Sequence, residues 1–285
     1  VTPAVHWFAR RTGDNSLLWH EIPRLREFVR RNHEADGRGR RFVPLILLWA
    51  SDLSSATPPE TTDWFGGGKV PVALHRTGWG SDATFAGTKG GAPNANHGHM
   101  DIGTFVLDMG GERWVSELRA RGYNDLEQRG MRIWDRDPGS DRWRVFAYNN
   151  AGHSTLVVNG QDQVPSGYAP VTNFQGSPEP ATTVDLSPAY AGQLASATRT
   201  LRLAGEGSVR IIDTVVAPDR DVIVRWSFVV PADVDPNQPS SATLAKAGET
   251  VEVRVESSTP VGPLRAVSMA EPPNEWDRPT PGTNL

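Results

Sequence analysis

From Trp64 to near the C-terminus the sequence sustains no 3.6-residue apolar period and consists of short alternating runs separated by turn residues. Val70 to Leu74, Thr104 to Met109, Thr155 to Val158, Arg199 to Leu203, Val209 to Val216, Val222 to Val230 and Val251 to Val255 each read as a strand with one face to bury. Asn159-Gly160, directly after "STLVV", is a tight-hairpin dipeptide because both positions accept positive φ. Strands so closely spaced, with no helical stretch between them, leave no room for parallel crossovers. The expectation is a mainly β chain, a large antiparallel β-sandwich.

The first sixty residues have a different pattern. Leu18, Ile22, Leu25 and Val29 recur at helical spacing after Asn15-Ser16, with Arg24, Arg26, Arg30 and Arg31 on the other side. This predicts one amphipathic helix with Pro23 as an early irregularity. A second apolar run, Val43 to Ala50, follows a Gly/Arg loop, and "SDLSSATPPETTD" reads as a linker. Two helices cannot enclose a core alone, so residues 1–62 read as the tail of a larger helical domain or a pad packed on the domain that follows, and 63–285 as the sandwich.

Charge and composition narrow the partners. With 29 basic and 33 acidic residues the formal net charge is -4, so no global positive field points to nucleic acid or an anionic membrane. No cysteine is present, so a metal would need His and carboxylate ligands. No apolar run approaches the roughly 20 residues of a membrane span, and no signal-peptide pattern follows Val1. A soluble protein whose true beginning is missing is the expectation.

The stretch "NHGHMDIGTFVLDMGGERW", from Asn96, holds the densest chemistry. Were residues 97 to 107 a strand, His97, His99, Asp101, Gly103, Phe105 and Leu107 would share one side. A metallo-hydrolase version of H-x-H-x-D would carry another histidine after the aspartate, where Ile102 stands. His153 in "NNAGHSTLVVNG" and Glu117 after "MGGERWV" supply the other donors; with His99 they suit zinc, which takes three N/O ligands from separate strands. Alternatively, His153 is a satisfied polar residue at a strand start.

The segment from "GGGKVPVALHRTGWG" through "NHGHMDIGTFVLDMGGERWVSEL", with "RWRVFAYNNAGHSTLVVNGQDQ", resembles the heparinase II/III-like superfamily of polysaccharide lyases. The resemblance covers about Trp64 to the C-terminus and implies that family's β-sandwich, with residues 1–60 resembling the last helices of the (α/α) toroid that precedes it. It implies a structural zinc on His99, Glu117 and His153, although the family's usual acid is aspartate, and a catalytic His97 facing the cleft. The activity it implies is β-elimination on a uronic-acid polymer such as heparin, heparan sulfate or alginate, by a secreted or periplasmic enzyme.

Such chemistry needs donors for the substrate carboxylate, a base at the carbon-bound proton and an acid at the leaving oxygen. Asn96, Arg76 and Lys89 are the candidate substrate-binding residues, Arg76 as a bidentate fork and Lys89 as a point charge. Each has a plainer reading, Asn96 as a turn former and the two cations as solvated loop charges. Tyr123 and Tyr148 lie closest to the motif, and core packing is the expected role of both. The resemblance places the main catalytic tyrosine in the missing toroid, so the chain is expected to be a nearly inactive piece of the enzyme. Two other classes compete: a zinc-stabilised carbohydrate-binding sandwich without turnover, and a zinc hydrolase that activates water.

Overall fold

A computed structural model describes residues 1–31, 42–50, 56–205 and 207–285. The chain divides into two compact units, Val1–Thr62 and Asp63–Leu285.

In the first unit α1 (Pro3–Thr12), unforeseen in the sequence, starts on a proline and ends at Gly13, whose left-handed φ of 75° lets its N–H reach the Ala9 carbonyl. The single helix expected from Asn15 is two pieces. Residues Asn15–Leu18 form a 3-10 turn capped by Asp14, and α2 (Glu21–Arg30) follows. Pro23 explains the break: it has no N–H to give and is tolerated only in a first turn, so the helix restarts just ahead of it. Leu18, Ile22 and Ala9 make a small core, whereas Val29 is exposed. The run Val43 to Ala50 yields α3 (Leu45–Trp49), of which Ile46 is buried. The Gly/Arg loop and the start of the linker lie outside the described residues. Among the described residues no helix is long and apolar enough to cross a membrane.

The second unit is mainly β and antiparallel. β1 (Trp64–Gly66), β2 (Val72–Arg76), β3 (Phe85–Lys89), β4 (Phe105–Met109) and β5 (Glu112–Val115) form a five-stranded meander in chain order. After β6 (Leu156–Val158), the strands β7 (Val171–Gln175), β8 (Ala181–Asp185), β9 (Ser196–Leu203) and β10 (Val209–Val216) make a four-stranded sheet. β11 (Val224–Trp226) pairs with β6, and β12 (Asp233–Gln238), β13 (Ser241–Lys246) and β14 (Glu249–Arg254) form a last small sheet.

The two larger sheets face each other through Ala86, Phe105 and Val115 on one side and Leu201 and Leu203 on the other. Alternation makes this possible, since along β9 Ala197, Arg199, Leu201 and Leu203 turn inward while Arg202 stays in solvent. Polar residues reinforce the join. Buried His75 on β2 bonds Asp63 at 2.6 Å through Nδ1 and Thr182 of β8 at 2.7 Å through Nε2.

Two strand expectations are corrected. Residues 97 to 104 are turns, and the strand begins only at Phe105. The backbone there does not join a ladder: the N–H of Met100 goes to the Tyr148 carbonyl, that of Ile102 to the Gln163 side chain, and Gly103 turns at φ 80°. In the run Val222 to Val230 only β11 is a strand, followed by an isolated bridge from Val229 to Ser116. Asn159 and Gly160 do take positive φ, 48° and 72°, in a turn that bridges Val158 to Gln161.

Beside this sandwich, α4 (Tyr123–Gln128) and three consecutive 3-10 turns between Asp141 and Gly152 share a core of Leu126, Met131, Ile133, Val145, Ala147 and Tyr148. Asp277, near the C-terminus, accepts the N–H groups of Phe146 and Ala147 at 3.1 and 3.0 Å and ties the turns in place. That layer and the 93–104 turns carry the site.

Candidate active site and metal centre

His97 is exposed and sits in a left-handed conformation, φ 58°, that costs a non-glycine residue ~1–2 kcal/mol. The next residue must be glycine, because a Cβ at Gly98 would lie 2.4 Å from the Pro93 carbonyl oxygen. A strand would have put His97 and His99 on one face; this turn separates them. Nδ1 of His97 is 3.1 Å from the Tyr123 hydroxyl, and the two rings stack with centroids 5.4 Å apart. Trp134 stands edge-on to both rings. Tyr123 is half-buried, with its body packed against the α4 core as expected and its hydroxyl on the histidine.

Behind the turn, His99 lies between Tyr148 and His153, with ring centroids 4.4 and 5.3 Å away. Burial, helped by neighbouring His153, pushes the His99 pKa down to about 3, so its imidazole is neutral and offers a lone pair. His153 precedes β6 and is buried, with Nδ1 against Glu117 Oε2. Burial by itself would lower its pKa; the Glu117 charge and hydrogen bond outweigh that and leave it raised. The other Glu117 oxygen accepts from the Thr104 hydroxyl at 2.5 Å. Nε2 of His153 is buried and has no hydrogen-bond partner among the described residues, a costly state for a polar atom unless something else engages it.

His99, Glu117 and His153 thus come from three separate segments into one neighbourhood. The donor set is right for zinc, and the orphaned His153 nitrogen beside a neutral imidazole fits an ion. Among the described residues, however, no three His, Asp or Glu side chains already stand as a ready metal cage, because His153 and Glu117 are closed on each other.

The other candidates separate. Lys89 donates to Asp101 at 2.7 Å, beside the histidine cluster. Asp101 would be raised by burial, but Lys89 together with His153 and His99 outweighs this and holds it below the usual carboxylate range. Asn96 is exposed next to His97. Arg76 lies at the other end of β2 from the residue paired with Lys89, its guanidinium stacked over Phe85 at 4.3 Å and Trp79 at 4.5 Å. It is not grouped with the histidines. Tyr148 is buried, its hydroxyl donating to the Arg121 carbonyl at 3.1 Å, and burial pushes its pKa up to about 12. Packing is its role. Sequence reasoning passed over Arg142, buried beside Tyr148 and bonded to the Gly98 carbonyl. The "RWR" tripeptide holding it gave no sign of burial.

An antiparallel sandwich of this layout is the architecture of heparinase C-terminal domains. The chain belongs to the heparinase II/III-like family, whose C-terminal domain model matches residues 72–271. No curated protein matches the sequence. Among solved structures, heparan sulfate lyase HepC from Pedobacter heparinus is 15% identical, with a TM-score of 0.57 over 87% of this chain and 35% of that one. A HepC mutant from the same organism is 17% identical, with a TM-score of 0.57 over 78% of this chain and 33% of the other. A structure of heparinase III is 14% identical, with a TM-score of 0.54 over 73% and 31%. At these identities the likeness is one of fold, and the chain spans about a third of the length of those enzymes.

Proposed function

We propose that this chain is the sandwich portion of a polysaccharide lyase that cleaves a uronic-acid polymer, heparan sulfate-like or alginate-like, by β-elimination. The observation that carries the reading is the exposed His97 imidazole hydrogen-bonded to Tyr123, set in a family whose structural neighbours include heparan sulfate lyases.

In β-elimination a base removes the proton beside the uronate carboxylate. The electron pair forms a carbon–carbon double bond, and the glycosidic oxygen leaves with a proton. With Nδ1 held by Tyr123, the Nε2 edge of His97 is the part available to a sugar, and an imidazole can accept or donate a proton near neutral pH. The Tyr123 hydroxyl can return or take up a proton at Nδ1 as the ring changes charge. Asn96, adjacent and exposed, would donate to the uronate carboxylate. Lys89, already paired with Asp101, contributes through the field of the pair, and Arg76 would bind only a distant part of a long polymer.

Zinc, held by His99, His153 and Glu117, is part of the proposal. When bound, it would tie three chain segments together behind His97 and neutralise the Glu117 charge. The orphaned Nε2 of His153 supports it. A catalytic toroid upstream of the sandwich, and a secreted or periplasmic location where such polymers are met, complete the reading; the coverage of only a third of the neighbouring enzymes supports the former.

The test is to incubate the full natural protein, and this chain beside it, with heparan sulfate, heparin, alginate and a neutral glucan. Ultraviolet absorbance from the unsaturated product should rise with one acidic polymer. Binding with no absorbance change would favour the carbohydrate-binding sandwich, and reducing ends without unsaturation would favour the hydrolase.

A further inference from the structure

We infer that Arg142 is the positioning residue that holds His97 in its working orientation, an inference that rests on reading His97 as the catalytic imidazole. Arg142 is 1% exposed. Its Nε and Nη2 both donate to the Gly98 carbonyl, at 3.1 and 2.7 Å, and its Nη1 donates to the Ile133 carbonyl at 3.0 Å. The guanidinium thus grips the Gly98–His99 peptide, one residue past the left-handed His97. Its carbon lies 4.7 Å from the centre of the Tyr148 ring and 5.7 Å from that of Tyr123, the residue whose hydroxyl meets His97.

A comparison within the molecule shows what is unusual here. Arg199 is equally buried and also binds two backbone carbonyls, those of Gly103 and Ser154, but its charge is neutralised by a two-pronged bond to Asp213. Among the described residues Arg142 forms no ion pair; its partners are carbonyl dipoles and ring faces. A buried charge without a counter-charge costs several kcal/mol, and an apolar side chain of similar volume would serve stability better. A forked donor is needed only if the Gly98 carbonyl must be held in direction as well as in place. Its direction sets His97: with the Gly98 N–H fixed on the Ala95 carbonyl at 2.8 Å and the Gly98 carbonyl fixed by Arg142, the His97 backbone has no freedom to relax to negative φ. The strain is held by two anchors, of which Arg142 is the one that also packs on Tyr123.

The experiment compares Arg142→Gln, Arg142→Lys and the remote core variant Leu244→Ala in the 285-residue chain by NMR, reading the His97–Tyr123 ring contacts and the His97 ring nitrogen shifts. The glutamine variant should lose the contacts, the lysine variant, with one bond in place of the fork, should weaken them, and Leu244→Ala should lower the melting temperature yet leave them intact. In the full natural protein, Arg142→Lys should reduce kcat on the order of tenfold to a hundredfold with KM near its original value. Folded Arg142 variants with unchanged His97 signals would overturn the inference; if the glutamine variant does not fold, the lysine variant decides. Because the NMR readout needs no turnover, absence of lyase activity in the natural protein would count against the proposed function and leave the positioning role standing.

Discussion

The Tyr123 hydroxyl meets Nδ1 of His97 at 3.1 Å across a stacked pair of rings. The pair is built from two elements, the tight turn after Pro93 and the first residue of α4, so it exists only when both are in place. Tyr123→Phe removes the hydroxyl and keeps the stacking. In the full natural protein kcat should fall about a hundredfold, the usual scale of one acid–base contact, with little loss of stability. Parallel melting curves and ultraviolet progress curves separate the two effects.

The His99–His153–Glu117 cluster makes a prediction about metal content. Elemental analysis of the purified chain should find zinc, and a chelator should lower the melting temperature. His99→Ala and His153→Ala should each abolish the bound metal. Glu117→Asp, which shortens the acid by one methylene and restores the residue usual in the family, should retain it. Zinc content unchanged in both histidine variants would remove the ion from this site.

Gly98→Ala tests the turn. The added Cβ would sit 2.4 Å from one carbonyl oxygen and 2.9 Å from another, both backbone and neither free to swing away. The turn must open, and His97 with it. Loss of activity should be as complete as in His97→Ala, while the sandwich, whose core lies elsewhere, keeps its circular dichroism spectrum.

Arg199 and Asp213 tie β9 to β10 from inside the core. Asp213→Asn would strand a buried guanidinium, so the expected loss is about 3 kcal/mol or more. Urea titration should show a lower midpoint at unchanged slope.

His6 gives the helical unit a pH dependence. Both its ring nitrogens are buried without hydrogen-bond partners among the described residues, and burial lowers its pKa against a weaker opposing pull from Glu21. The unfolded chain therefore takes up a proton that the folded one resists. The stability contribution is fully present above the unfolded value of about 6.5 and is lost as pH falls through the folded value. Protection of the α1 amides, measured as hydrogen exchange relative to the intrinsic rate at each pH, should fall between about pH 7 and pH 5, and His6→Leu should flatten that response. An equally steep response in the leucine variant would mean that another group titrates.

Much of the fold was legible in the sequence because alternation is a local property. The strands that became β9 and β10 were visible as runs at Arg199–Leu203 and Val209–Val216, since each buries one face and turns the other outward. β3 and β8 were not: Phe85–Lys89 and Ala181–Asp185 are strands by their place between neighbours, with alanine, glycine and threonine facing a crowded core. The turn at Asn159-Gly160 was readable because positive φ is a property of those two residues alone.

The residue types at the site were also in the sequence: two histidines around a glycine, and a third histidine and a glutamate further on. Their grouping depended on long-range contacts. No spacing rule could show that His97 turns out through a left-handed φ while His99 turns in toward Tyr148. The separation comes from Pro93 and Ala95 carbonyls, an arginine forty-four positions downstream of Gly98, and a tyrosine on a helix outside the sandwich. Sequence determined which side chains could do chemistry, because that is written in each residue; which of them meet was decided by packing, because it depends on every segment that crowds against them.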